Sequence, residues 1–161
     1  EIRELLKDGA CAVKVDDPYI LLYPNDCDLI NGVMRWLTLS LDQNRVFLST
    51  WFHSVINPQE YFDLPFGGFF LDFTSGPEAL MGNFLALRNF PKEKILGAGL
   101  IDARQFFTRS QSDLLYWVKA ISKTVSLDRV WLSPNTDLTF LPWDIAVEKV
   151  RQLVKLAKEA Q

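Results

Sequence analysis

The chain has 161 residues, enough for one domain with a sizeable core. Hydrophobic residues make up 48% and charged residues 23%, with a formal net charge of -3, a balance that argues against a nucleic-acid-tracking surface, which needs a basic excess. No apolar run reaches membrane-span length and no signal-peptide pattern opens the chain; the two cysteines, Cys11 and Cys27, are too few for a disulfide framework, so the expected compartment is the cytosol.

In chain order, the opening stretch "EIRELLKDG" reads as a helix already under way, and its first residue is Glu rather than Met. We therefore expect a processed or partial form of something longer. Five short runs rich in β-branched or aromatic residues then follow: Cys11 to Asp16, Arg45 to Trp51, Gly68 to Phe73, Lys94 to Asp102, and Arg129 to Ser133. Runs this apolar suit strands covered on both faces, as in parallel sheets. Between them lie stripes at helical spacing. Leu29, Val33, Leu37 and Leu41 form the first; Leu80, Phe84 and Leu87 the second; Leu114, Val118, Ile121 and Val125 the third. Ala146, Val150, Leu153 and Ala157 form the last, leaving Lys149, Arg151, Lys155 and Lys158 for solvent. Asp26 or Asp28 is the expected cap of the first long helix, Ser75-Gly76-Pro77 opens another, and Ser110 caps the third. Pro58 to Phe62 has room for only one or two helical turns.

Five strand–helix units in one domain, residues 1–161, imply parallel strands with right-handed crossovers. Two architectures fit, a doubly wound sheet or part of a (β/α)8 barrel. A full barrel needs about 250 residues, so length alone favours the open sheet.

In either architecture the working face lies at the carboxyl ends of the strands. Those ends read Asp16-Asp17-Pro18, Thr50-Trp51-Phe52-His53, Asp72, Asp102-Ala103-Arg104 and Ser133-Pro134-Asn135-Thr136. An Asp after a strand commonly caps the next loop or helix, but three at equivalent positions would converge on one mouth. The expected ligand-binding residues are Asp16, Trp51, Asp72, Asp102, Arg104 and Asn135. Trp51 would stack on a planar ligand, and Arg104 would hold a carboxylate or bridge to Asp102. Lys14 alternates out of the apolar face and would need an acidic partner such as Asp72 or Asp102. His53, the one histidine, reads as a polar loop residue, and the cluster of Trp51, Phe52, Phe69, Phe70, Phe106 and Phe107 reads as core.

The segments "VKVDDPYILL", "LSTWF", "LPFGGFFLDF", "ILGAGLIDARQFFTR" and "VWLSPNTDLTFLPWDI", in this order and spacing, resemble the last five β/α units of a cobalamin-independent methionine synthase barrel. That resemblance selects a TIM-type (β/α)8 barrel over the doubly wound sheet, of which this chain would hold about five units, the C-terminal part. The family has two related barrels. The C-terminal one binds zinc, homocysteine and methyltetrahydrofolate, and the N-terminal one lacks the metal and helps hold the folate tail. The resemblance places the zinc-ligand positions at Thr50, Phe52, Asp72 and Thr136, of which Asp72 alone could touch a metal. Sliding the register to use His53 puts Val55 at the thiol position. "LIDARQFFTR" and "SPNTDLTFLPWD" are closer to the non-metal barrel. Asp16 matches an Asp that contacts the homocysteine amino group in the catalytic barrel.

The implied function is that of a methionine-synthase-family protein with no zinc or other cofactor of its own. It would bind an acidic or folate-like small molecule or assist a catalytic subunit. Two alternatives stand beside it: a fragment of an active methyltransferase whose zinc comes from elsewhere, and a structural or interaction domain with a degenerate site. The expected partners are a missing barrel half, a partner subunit or further copies of the chain, with neither nucleic acid nor membrane.

Overall fold

The structure, a computed structural model, describes residues 1–23 and 27–160, with the side chains of Cys27 and Ile30 left aside. Its regular elements are α1 (Ile2–Lys7), β1 (Val13–Asp16), α2 (Cys27–Thr38), β2 (Val46–Ser49), α3 (Pro58–Phe62) and β3 (Gly68–Asp72). Then come α4 (Pro77–Ala86), β4 (Ile95–Ile101), α5 (Gln111–Ser122), β5 (Val130–Pro134) and α6 (Trp143–Glu159). The five strands form one parallel sheet in the order β1-β2-β3-β4-β5. Consecutive order excludes the doubly wound alternative, which places the first strand in the interior of the sheet. Among the described residues no helix is long and apolar enough to cross a membrane.

The two faces of the sheet differ in chemistry. Val46, Leu48, Phe69, Leu71, Leu96, Ala98 and Leu100 point to the helices and are almost wholly buried. With Leu87, Leu114, Val118, Ile121 and Leu156 they make the core, each such side chain contributing about 1.5–3 kcal/mol through burial. Strand registers put Lys14 beside Phe47, Ser49 beside Phe70, and Gly97 beside Phe70 and Trp131 on the other, inner face. There Phe47, Phe70 and Trp131 form a ring cluster with centroids 5.0–6.3 Å apart. Gly97 makes the room for it, because a Cβ at that position would stand 2.1 Å from the Phe70 ring.

Helix starts follow the local chemistry. Ser110 caps α5 by accepting from the Asp113 N–H at 3.1 Å. Pro77 opens α4 after Gly76, whose φ of 97° suits a residue without a side chain. Of the two expected caps for α2, Asp26 lies outside the described residues and Asp28 sits inside the first turn.

Two helical stripes hold only in part. In α2 Leu37, and beyond the helix Leu41, pack against the core beside the buried Met34 and Thr38, while Leu29 and Val33 are exposed; in α6 Leu153 packs against the core. In α6 Val150 is half exposed, and Lys149, expected in solvent, is fully buried with Nζ donating to the Phe107 carbonyl at 3.0 Å. The reason lies in the loop after β4. It carries main-chain carbonyls against α6, so that face of the helix supplies donors: Gln152 Nε2 also donates to the Arg109 carbonyl at 2.7 Å. Burial lowers the Lys149 pKa, and the fields of Asp102 and Glu148 oppose it.

Replacing Gly97 by Val is expected to destabilise the fold by about 1–3 kcal/mol through overpacking against Phe70. Chemical denaturation of Gly97→Val and of Gly97→Val/Phe70→Ala checks this, since the second change should recover part of the loss.

Candidate functional site

At the carboxyl end of the sheet, the loops after β2, β3, β4 and β5 meet on one side chain. Asp72 is 1% exposed. Its Oδ1 accepts from the Thr74 N–H and the Thr74 hydroxyl, both at 2.7 Å. Its Oδ2 accepts from the Phe52 N–H at 3.1 Å, the Asn135 amide at 3.2 Å and the Ser75 hydroxyl. Its main-chain carbonyl takes the Asn83 amide at 2.7 Å, while the Asn83 oxygen accepts from the Val55 N–H. Burial raises the Asp72 pKa, but the bonds from Ser75, Thr74 and the Phe52 and Thr74 N–H groups outweigh it, and the net shift is below 3.8.

Asn135, 4% exposed, extends the network, its oxygen accepting from the Ala103 N–H at 2.9 Å. The irregular register between Gly99 and Ile101 brings β5 to this point. Arg104 closes the group. Its Nε donates to Asp102 at 3.2 Å, one Nη2 hydrogen bond reaches Ser75 at 2.9 Å, and Nη2 lies 3.8 Å from Asp72. The guanidinium stacks 4.9 Å above the Phe52 ring. Among the described residues its Nη1 makes no hydrogen bond. Phe52 sits at φ 77°, a left-handed conformation unusual for an aromatic residue. Asp72 holds its N–H on one side and Arg104 its ring on the other.

The structure thus gathers Asp72, Asp102, Arg104 and Asn135 into one cluster. Trp51 is adjacent, its ring edge-on to Phe52 at 6.1 Å. Asp16 is paired with Lys14 at 2.8 Å, so the acidic partner of Lys14 is Asp16 rather than Asp72 or Asp102. The capping reading of strand-end acids also holds in part: Asp17 accepts from the Tyr19 N–H and Asp102 from the Arg104 N–H. His53 is exposed. Of the aromatic residues read as core, Phe69 is fully buried, whereas Phe52, Phe106 and Phe107 are exposed. Loop residues after the last strand turn escape the strand's burial pattern, which is why apolar content alone misplaced them.

Thr74, Ser75, Phe52 and Asn83 belong to the cluster but were missed from sequence. Asn83 had a usable signal, a polar residue on the buried face of a helix. Thr74 and Ser75, directly after Asp72, fit an Asx-type turn.

A parallel sheet of consecutive strands with the polar cluster at its carboxyl end defines the TIM-barrel class. Residues 2–126 match the family described as cobalamin-independent synthase, N-terminal domain, and the chain belongs to that family. Relatives named 5-methyltetrahydropteroyltriglutamate–homocysteine methyltransferase include one from Halalkalibacterium halodurans, 30% identical over 145 residues, and one from Bacillus licheniformis, 26% identical over 144 residues. Each alignment covers 88% of this chain but only 19% and 18% of the relative, so the chain spans about a fifth of the length of these proteins. The fold matches a B12-independent methionine synthase from Shewanella sp. W3-18-1 (TM-score 0.81, 13% identity), covering 98% of this chain and 50% of that one. A vitamin-B12-independent methionine synthase described as putative, from Listeria monocytogenes, matches with TM-score 0.73 at 17% identity, covering 99% and 51%.

Asp72→Ala is expected to cost about 3 kcal/mol, because five donors lose a buried acceptor. The depressed pKa gives a sign for the pH dependence: the Asp72 contribution is complete above its unfolded value near 3.8 and is lost as pH falls through the folded value. Denaturation of the native chain and of Asp72→Asn from about pH 6 to about pH 3 should show their stability gap closing at the acid end.

Proposed function

We propose that this chain is a binding half-barrel of the methionine-synthase family, working in the cytosol, that takes an acidic or folate-like small molecule at its carboxyl-end mouth and brings no metal of its own. The observation that carries this reading is Arg104. Asp102, Ser75 and the Phe52 ring fix its guanidinium at the mouth, and its Nη1 edge is left over to meet an anionic group. Trp51 and Phe52 supply apolar surface beside it for a planar ring.

The donor set does not fit the zinc of the family's catalytic barrel. Of the four matching positions, Thr50 bonds its hydroxyl to Tyr61 at 2.9 Å, and Phe52 and Thr136 offer no thiolate or imidazole. Asp72 has its carboxylate taken up by protein donors. That same saturation favours a second reading, a structural domain whose site has become internal bracing.

Thermal unfolding with folate mono- and polyglutamates and with homocysteine separates the two readings. Binding predicts a concentration-dependent rise in Tm that Arg104→Ala abolishes while leaving the ligand-free Tm within about 2 °C. Bracing predicts no rise and a lower ligand-free Tm for Arg104→Ala. Elemental analysis after dialysis against a mild chelator should find sub-stoichiometric zinc. Full occupancy lost in Asp72→Ala would overturn the metal-free reading and favour the methyltransferase fragment.

A further inference from the structure

The loop between β4 and α5 carries Arg104 but has little internal structure. Among the described residues no main-chain hydrogen bond joins residues 103–109 to one another or to a neighbouring element. Apolar burial does not hold the loop either. Gln105 and Thr108 are exposed, and Phe106 and Phe107 are 62% and 84% exposed. A segment with so few ties opens locally at small cost, yet Arg104 stands in it with its guanidinium fixed at the mouth.

Side chains from other elements supply the hold. At the near end the Asn135 oxygen accepts from the Ala103 N–H at 2.9 Å. At the far end two residues of α6 reach the main chain. Lys149 Nζ donates to the Phe107 carbonyl at 3.0 Å, and Gln152 Nε2 donates to the Arg109 carbonyl at 2.7 Å. Three positions apart, these two share one face of the helix. The rest of that contact is poorly satisfied: Arg109 Nη1 and Gln152 Oε1 are buried with no hydrogen-bond partner among the described residues. The two bonds from α6 are therefore the polar latch of the loop.

Lys149 is a costly residue for this place if it only fills space. It is 0% exposed and forms no ion pair among the described residues. A buried ammonium without a carboxylate in contact is disfavoured against an apolar side chain of similar length. The field of Asp102 acts on it, and Asp102 is the carboxylate that accepts from Arg104 Nε. The cation beneath the loop and the cation at the mouth thus share one acidic neighbour.

We propose that Lys149, with Gln152 beside it on α6, is a positioning residue for Arg104. The latch holds the loop so that Arg104 keeps its contacts with Asp102, Ser75 and the Phe52 ring before a ligand arrives. Such preorganisation lowers the ordering cost of binding. This inference rests on the reading of Arg104 as the residue that meets an anionic group.

The test has a ligand-free arm and a ligand arm. Without ligand, phenylglyoxal labelling with peptide mass analysis compares Arg104 with the exposed Arg88, and hydrogen exchange reads residues 103–109. In Lys149→Met, Arg104 should be labelled at least about threefold faster relative to Arg88, and exchange in the loop should rise about tenfold. With ligand, folate triglutamate should bind Lys149→Met about tenfold more weakly than the native chain. Gln152→Leu cuts the second bond and leaves the buried cation in place. It should move each reading the same way by a smaller factor, and it decides the matter if Lys149→Met does not fold. Unchanged labelling of Arg104 in the folded variants would overturn the inference. So would loosening shared equally by Arg88, or native affinity despite a released Arg104. If the native chain binds no folate, the binding reading falls, and the ligand-free arm still decides whether Lys149 positions Arg104.

Discussion

The arrangement of the carboxyl end depends on one buried carboxylate. A charged Asp72 with no partners would be strongly disfavoured in this interior. Its five donors come from three separate loops, so the cost of burying it is met only when those loops stand in their observed positions. The loop after β2 is fixed through the Phe52 N–H, the loop after β3 through Thr74 and Ser75, and β5 through Asn135. Arg104, drawn in by Ser75 and Asp102, adds the loop after β4. Phe52 pays for its left-handed backbone with these two contacts, which a relaxed conformation would break.

The same carboxylate leaves the side chains of the mouth unequally committed. Asp72 and Asn135 spend their hydrogen-bonding capacity inside the protein. Arg104 does not, and its stacking on Phe52 leaves an aromatic surface and a cation side by side. Asp16 lies on a separate strand end with Lys14, a half-exposed ion pair whose stabilising effect is small in water. A ligand reaching both places would bridge the first strand and the fourth, across the inner face of the sheet.

Much of the fold was legible in the sequence. Five apolar runs became five strands, and motif order selected consecutive pairing over the doubly wound alternative. The convergence of Asp72, Asp102, Arg104 and Asn135 followed from their shared position after the last inward residue of a strand. Side-chain partners were not legible, because they depend on distances between loops far apart in the chain. Asp72 and Asn135 are 63 positions apart, and Lys149 lies 42 from the carbonyl it binds. Helical phase held only in part in α2 and α6 for a related reason. An apolar stripe gives the buried face only where the neighbouring surface is apolar and present. Along α6 the neighbour is a loop rich in carbonyls, so Lys149 turns inward.

Along α2 the expected stripe splits: Leu37 and Leu41 pack against the core, and the first half faces outward. Leu29 and Val33 repeat at helical spacing exactly where a core-facing stripe would be read, and both are exposed. The groove along β5 and the uncovered Trp131 repeat the pattern at the other margin. Exposed apolar residues scattered singly need no explanation, but Trp131 and the groove lie along β5, one of the two strands unpaired on one side among the described residues. Burial of the helix-facing side is complete in β2, β3 and β4, which have a neighbour on each side, and partial in β1 and β5. Trp131 is thus half exposed on a strand whose outer backbone edge is unpaired among the described residues, while its ring still packs on Phe47 and Phe70 across the inner face.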